Sequence, residues 1–397
     1  MGGMPDPSPM SPTAPAPDRV ALKTLALTDF RNYAAASVAF DAASVVLTGE
    51  NGAGKTNLLE AISLLTPGRG LRRARLEEMT RVGAERWAVS AIVARNGETA
   101  RLGTGLVEAG TGEGRARAVR INGAPASSGD ALLEYLRVLW VTPAMDGLFT
   151  GAASERRRFL DRLVLTLDAA HGRRVREFDK LATQRNRLLE ENASAGWLDA
   201  VEAELAERAV AVALARAETT ALLSARMERA DAASLFPAGR LALEGEFDGA
   251  VAGRSAAETE LWYRETLAAG RAADRAAGRT LAGPHRSDLD VTHVDKGMPA
   301  ARSSTGEQKA LLIGLVLAHA EIVAETSGMT PILLLDEVAA HLDAARRRAL
   351  FEKLAALGGQ AVMTGTDVGL FAGLPEASQI FRVADNGLTL LPQEERG

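Results

Sequence analysis

Two short segments carry the residue types and spacing that phosphoryl chemistry needs. The first is GENGAGKT, Gly49 to Thr56, which fits the pattern G-x-x-x-x-G-K-[ST] in full. Its glycines let successive backbone N–H groups turn inward around a phosphate, and the helix expected behind them adds partial positive charge. The candidate nucleotide-binding residues are therefore Gly49, Glu50, Asn51, Gly52, Ala53, Gly54, Lys55, Thr56 and Asn57. Lys55 is suited to the β- and γ-phosphates, and the Thr56 hydroxyl to Mg2+. The second segment is ILLLDE, in which four apolar residues deliver Asp336 and Glu337 to the end of a buried strand. Asp336 is the candidate metal partner, acting through water, and Glu337 the candidate base for the attacking water. An apolar strand ending in Asp-Glu is often only a solvated strand end; the company of GENGAGKT gives it a purpose.

A third segment, SSTGEQKALL (Ser303 to Leu312), precedes that strand. Alone it reads as a Ser/Thr cap and an amphipathic helix. A helix starting after Gly306 would aim its N-terminal amides outward and make a second phosphate cradle. One ATP is already served by Gly49 to Thr56, so the second cradle is expected to serve the ATP of another subunit. In AAHLDAARRR, Asp343 either caps a helix or crosses such an interface. In AVMTGTD, Thr364, Thr366 and Asp367 are either a γ-phosphate sensor or a plain turn.

These segments need an α/β scaffold, and the patterns supply one. SVVLT and NLLEAISLL flank the glycine loop as strand and helix. VALKTLALTDFRNYAAASVAF alternates as two strands with a turn near Asp29 to Asn32. RWAVSAIVARNG, ARLGTGLVEAG, RAVRINGAP and RVLWVTP continue as strands. From Ser154 to about Leu235 the period becomes helical, with Phe159, Leu160, Leu163, Val164 and Leu167 on one face. Strand signals return in PILLLDE, QAVMTGTD and QIFRVADNGLTLL, the last a hairpin with a turn at Asn386-Gly387. The expected division is a disordered tail over 1–18, a first ATPase half over 19–152, a helical insertion over 153–280 and a second half over 281–397.

Composition bounds the function. The chain has 397 residues, 47% hydrophobic, enough for more than one core. It has no cysteine, and its histidines lack helical metal spacing, which argues against a zinc enzyme. No signal peptide or membrane span is expected, so the reading is a cytoplasmic protein. A formal net charge of -5 excludes a globally basic nucleic-acid surface. DNA contact would have to come from local patches, and two are available: Arg69, Arg72, Arg73 and Arg75 after the glycine-loop helix, and Arg156, Arg157 and Arg158 in SERRRFLDR. The alternative for both is a solvated helix face laced with acidic partners. Aromatic residues are only 4%, which favours backbone contact over base stacking.

The order of motifs resembles the ATPase heads of the ABC class, including SMC proteins, and more closely the RecF family. The segments LTDFRNY, TGENGAGKTNLLEAISLL, RINGAP, SERRRFLDRL, LAGPHRSDL, STGEQKALL and LLLDEVAAHLD carry that resemblance over nearly the whole chain after the tail. It implies an ABC-class α/β P-loop head in two lobes with a helical insertion. It implies a weak ATPase using ATP and Mg2+ that dimerises with ATP bound. It also implies sequence-nonspecific binding at single-strand/double-strand DNA boundaries, and work with RecR and RecO to load RecA in repair and replication restart. By motif, Ser304, Gly306 and Glu307 would touch the partner subunit's nucleotide, and Arg31 and Asn32 would lie near their own. Two features of transporter ATPases are missing: a metal-sensing Gln after the first half, where VTPAMDGLF stands with Asp146, and a switch His in MTGTD. A transporter subunit is disfavoured on that ground. A full-length SMC protein is disfavoured because the insertion is far too short for its coiled coil.

Overall fold

The computed structural model describes residues 17–41, 43–108, 114–229 and 234–395. Strands β1 (Val20–Phe30) and β2 (Tyr33–Ala39) form a hairpin across Arg31 and Asn32. β3 (Ser44–Thr48) leads into the glycine loop and helix α1 (Lys55–Ser63). β4 (Ala88–Arg95), β5 (Glu98–Glu108), β6 (Arg115–Ile121) and β7 (Ala124–Pro125) join the hairpin in an antiparallel sheet of order β2-β1-β4-β5-β6-β7. Alternation turns Leu22, Leu25, Leu27, Val89, Ala91, Val93, Leu102 and Leu106 to a core shared with Leu58, Leu59 and Ile62 of α1. β8 (Val138–Val141) leaves that sheet for a second one.

The tail expected over 1–18 lies outside the described residues except at its end. There Asp18 is pinned, bridging Met329 and pairing with Arg95 at 2.7 Å.

Helices α2 (Ala153–Leu167), α3 (His171–Glu190) and α4 (Ala195–Glu228) follow, then β9 (Gly239–Glu244), α5 (Glu246–Gly253) and α6 (Ala256–Ala277). Helices α3 to α6 enclose a small core of Phe178, Leu205, Ala209, Val210, Phe247, Tyr263 and Leu267. Inside it, the fully buried Arg185 is balanced by Glu202 at 2.9 Å and Asp274 at 2.6 Å, the arrangement a buried guanidinium requires.

This region is not purely helical. β9 pairs antiparallel with β10 (Asp288–His293), so the boundary expected at residue 280 falls between two strands of one sheet. The alternation in GRLALE is a strand pattern, too short to interrupt the helical signal around it.

β11 (Met298–Pro299), α7 (Thr305–Ser327), β12 (Ile332–Leu335), α8 (Ala344–Leu357), β13 (Ala361–Gly365), β14 (Gln379–Ala384) and β15 (Gly387–Leu390) complete the fold. The second sheet has order β15-β14-β3-β13-β12-β8, parallel except for β15. Every residue of β8, β12 and β13 is buried, as strands covered on both faces demand. α7 is long and apolar enough to cross a membrane by length and composition, contrary to the expectation of no such run. Here it is a central core helix, with Leu311, Leu312, Leu315, Val316 and Ala320 buried against Leu333 and Leu335. The closing hairpin turns at Asp385-Asn386, one residue earlier than expected. Both adopt left-handed φ, 48° and 60°, and Ala384 pairs with Gly387.

Candidate nucleotide site

Parallel strands place their ligand-facing loops at their C-terminal ends. The loop after β3, Asp336 and Glu337 after β12, and Thr364 near the end of β13 between them therefore converge. Two loop glycines are required by their surroundings. A Cβ on Gly49 (φ 147°) would stand 2.3 Å from the Val383 carbonyl oxygen. One on Gly54 (φ 107°) would stand 2.6 Å from both Asn32 Nδ2 and the Tyr33 hydroxyl. Gly54→Ala should therefore strain the loop by about 1–3 kcal/mol. Nucleotide titration should show at least roughly tenfold weaker binding, and the melting temperature should fall by about a few degrees.

Lys55 is buried and donates from Nζ to the carbonyls of Gly49 at 2.7 Å and Glu50 at 2.9 Å, closing the loop over its own side chain. Burial holds its ammonium below the usual lysine range, opposed by the charges of Glu337 and Asp336. The Thr56 hydroxyl donates to Asp336 Oδ1 at 3.0 Å, and the Thr364 hydroxyl donates to the same oxygen at 2.7 Å. Thr364 Oγ1 also accepts the Glu337 N–H at 2.9 Å. Two hard oxygens, Thr56 Oγ1 and Asp336 Oδ1, thus share one spot. This suits Mg2+, which takes few protein ligands and completes its shell with phosphate and water. Glu337 sits at φ 54°, a left-handed conformation that a non-glycine residue adopts at a cost, and its carboxylate accepts no hydrogen bond among the described residues. A cavity of about 210 Å³ is lined by Asn51, Gly52, Gly54, Lys55, Thr56, Asn57, Arg72 and Glu337.

Arg72, a DNA-contact candidate from the sequence, lines this cavity. It donates to Asn57 Oδ1 at 2.5 Å and to Glu60 Oε2 at 2.8 Å. Glu60 is a fully buried carboxylate on α1, and Arg31 grips it through two bonds of 2.8 and 2.6 Å. Arg31 therefore acts by holding the helix behind the loop and does not line the cavity. Asn32 accepts from Asn57 Nδ2 at 2.6 Å and donates to Asn386 Oδ1 at 2.5 Å, joining the β1–β2 turn, α1 and the C-terminal hairpin. Glu60, Arg72, Tyr33 and Asn386 escape motif reading because their roles depend on partners far along the chain. A buried Glu on an otherwise apolar helix face, LLEAI, was the one available signal.

The second cradle is differently placed. α7 begins at Thr305, two residues before the expected start after Gly306. Ser304 is its N-cap, and the Ser304 N–H donates to Glu307 at 3.1 Å. Lys296 donates to the same carboxylate at 2.6 Å, and with Ser304 it pulls Glu307 down to about 2. A Cβ on Gly306 would meet open space, so nothing in the single chain demands glycine there. Ser304, Gly306 and Glu307 do not line the cavity. Lys309, one turn into α7, pairs with Asp146 at 3.0 Å. This ties the helix to the segment after β8 where transporter ATPases carry their metal-sensing Gln. Asp343 caps α8 through the Arg346 N–H at 2.8 Å, and Asp367 caps a short turn through the Gly369 N–H at 2.9 Å. Of the three residues flagged in AVMTGTD, only Thr364 joins the site.

Two further arginines are committed inside the fold. Arg156 makes a two-bond ion pair with Asp288 at 2.8 and 2.7 Å and donates to the Gly151 carbonyl at 2.6 Å. Arg157 donates to the Ser287 carbonyl at 2.7 Å. These contacts hold α2 to the segment that enters β10, so both side chains already have partners within the chain. Among the described residues, the guanidinium groups of Arg69, Arg73, Arg75 and Arg158 make no ion pair.

The model of the RecF/RecN/SMC N-terminal domain matches residues 21–387. The chain is 53% identical to a DNA replication and repair protein RecF of Agrobacterium fabrum, over 94% of this chain and 99% of that one. It is 55% identical to the protein of the same name from Brucella suis biovar 1, over 94% and 97%. A solved structure of the recombination mediator protein RecF with ATPrS superposes with a TM-score of 0.83 at 23% identity, covering 95% of this chain and 100% of that one. The Smc head domain of Pyrococcus furiosus superposes at 0.52 and 16% identity, covering 95% and 97%. The ABC-type head fold and the extended identity lead to one conclusion: the chain belongs to the RecF family of DNA replication and repair proteins.

Proposed function

We propose that the chain is an ATP-gated DNA clamp and recombination mediator of the cytoplasm. Two copies close around two ATP molecules, grip DNA at single-strand/double-strand boundaries and, with RecR and RecO, help RecA load. Lys55 and the loop amides bind the phosphates, Thr56 and Asp336 hold Mg2+, and Glu337 activates water in slow hydrolysis that reopens the dimer. Ser304, Gly306 and Glu307 contact the ATP of the partner subunit.

One observation carries this reading. The chain has a nearly complete nucleotide site and, outside that site's lining, an exposed helix start with open space at Gly306. A two-fold dimer would set each helix start against the other copy's γ-phosphate, because a two-fold interface uses the same patches reciprocally. The names of the relatives, in DNA replication and repair and as a recombination mediator, agree with the role. The test is binding to gapped and to blunt duplex over a salt series, with and without ATP and RecR. ATP should strengthen binding, most on the gapped substrate. Equal binding with and without ATP overturns the gating.

A further inference from the structure

The loop after α1 carries more positive charge than the nucleotide cavity uses. Arg117 of β6 anchors this loop, donating to the carbonyls of Leu64, Thr66 (3.1 Å) and Gly68 (2.5 Å). Anchored so, the loop sends neighbouring arginines to different tasks. Arg72 goes to Asn57 and Glu60 at the cavity. Arg73 lies within electrostatic range of Arg69 on its own loop and of Arg158, Asp161 and Arg162 on α2. Its backbone is left-handed, φ 57°, a conformation that bulky residues avoid and that persists where the surroundings impose it.

The charges gathered there lack a carboxylate of their own. Arg69, Arg73 and Arg158 make no hydrogen bond or ion pair through their side chains among the described residues. Arg162 lies 4.3 Å over the Trp140 ring and 5.2 Å from the Phe159 ring. Its Nε is buried without a partner. Asp161, the acid whose charge acts on Arg73, is already held by Arg216 at 2.8 and 2.9 Å and by His171 at 2.8 Å. Burial, with Arg158 and Arg69 behind it, lowers Arg73 from its ordinary range. Burial and Arg73 push Arg162 down to about 9. Like charges at short range repel, and an entering polyanion relieves that repulsion.

We propose that Arg69, Arg73 and Arg158, backed by Arg162, form a binding site for the phosphodiester backbone of nucleic acid. The loop that presents them is the one that places Arg72 at the nucleotide. The inference rests on the DNA-binding reading above and names the surface that serves it. Guanidinium forks from two separate elements suit successive phosphates, and such contacts position a duplex without reading its sequence.

The test uses the full chain carrying Arg73→Asn and Arg158→Gln together. Asn tolerates left-handed backbone and Gln tolerates a helix, so charge is removed with little strain. Anisotropy of a labelled duplex across a salt series should show at least roughly tenfold weaker binding at low salt, with a log–log salt slope shallower by about two. Melting temperature and ATP affinity should be unchanged, and Arg73→Lys with Arg158→Lys should recover most of the binding. Arg101→Gln with Arg120→Gln, on the antiparallel sheet, should leave duplex binding as it was. Wild-type affinity and slope in the Asn/Gln protein overturn the assignment while leaving the DNA reading intact. So does loss of polyglutamate binding with duplex binding preserved, which would give the cluster to an acidic protein partner. A wild-type chain that binds no duplex in any nucleotide state overturns the DNA reading itself.

Discussion

Glu337→Gln is expected to slow ATP turnover by about two to three orders of magnitude while leaving ATP binding in place. The Glu337 carboxylate lines the cavity without bracing anything: the contact to Thr364 comes from the backbone N–H, which Gln retains. Gln matches the shape and cannot accept a proton from water, so the loss falls on chemistry and spares assembly. One of the two charges that oppose the burial of Lys55 is removed, but Asp336 remains, and bound phosphate adds more negative charge. With hydrolysis blocked, the ATP-bound dimer should persist in sedimentation velocity long after the wild type has reverted to monomer. A Glu337→Gln protein that stays monomeric with ATP sinks the proposed sandwich. One that turns over at the wild-type rate removes Glu337 as the base.

Lys55→Ala should act one step earlier. In the proposed complex the ammonium supplies its charge to the phosphates, and in the chain alone it bonds the Gly49 and Glu50 carbonyls. Hydrogen bonds involving a charged group are worth about 1.5–3 kcal/mol, so ATP affinity should fall by about 10- to 100-fold or more. Without bound ATP the two copies have nothing to share, and no ATP-dependent dimer should form at concentrations that saturate the wild type. Calorimetric titration and sedimentation distinguish the two variants: one binds and does not release, the other does not bind. Lys55→Ala dimers forming normally with ATP would contradict the proposed gating.

What the sequence showed was the part that is contiguous. GENGAGKT and ILLLDE are each a single loop or strand end, and the apolar strands beside them leave one place to go. The strands of both sheets were legible for the same reason, either alternating or wholly apolar over a few residues. What was hidden depends on distant partners. Arg72 and Arg156 look alike as residues in basic runs, yet one faces the nucleotide cavity and the other is bound to Asp288. β9 was lost among helices because its partner β10 lies beyond α6. Ser304 and Gly306 were legible as a helix start, but their separation from the chain's own cavity required coordinates.

The strand that precedes the glycine loop has a consequence in time. β3 has only two neighbours, β13 and β14, which begin at Ala361 and Gln379. As the chain emerges from the ribosome, the strands of the antiparallel sheet can pair with one another almost at once, since all lie within the first third of the sequence. β3 cannot. Both its edges stay bare, an apolar strand exposed to wrong partners, until more than 300 further residues are made, β13 covering one edge and β14 the other. A ribosome that stalls short of Gln379 leaves behind a chain whose phosphate loop hangs from an unfinished sheet. Such a fragment lacks one of the two strands that flank β3 and is a candidate for aggregation, so the order of the phosphate loop depends on strands made long after it.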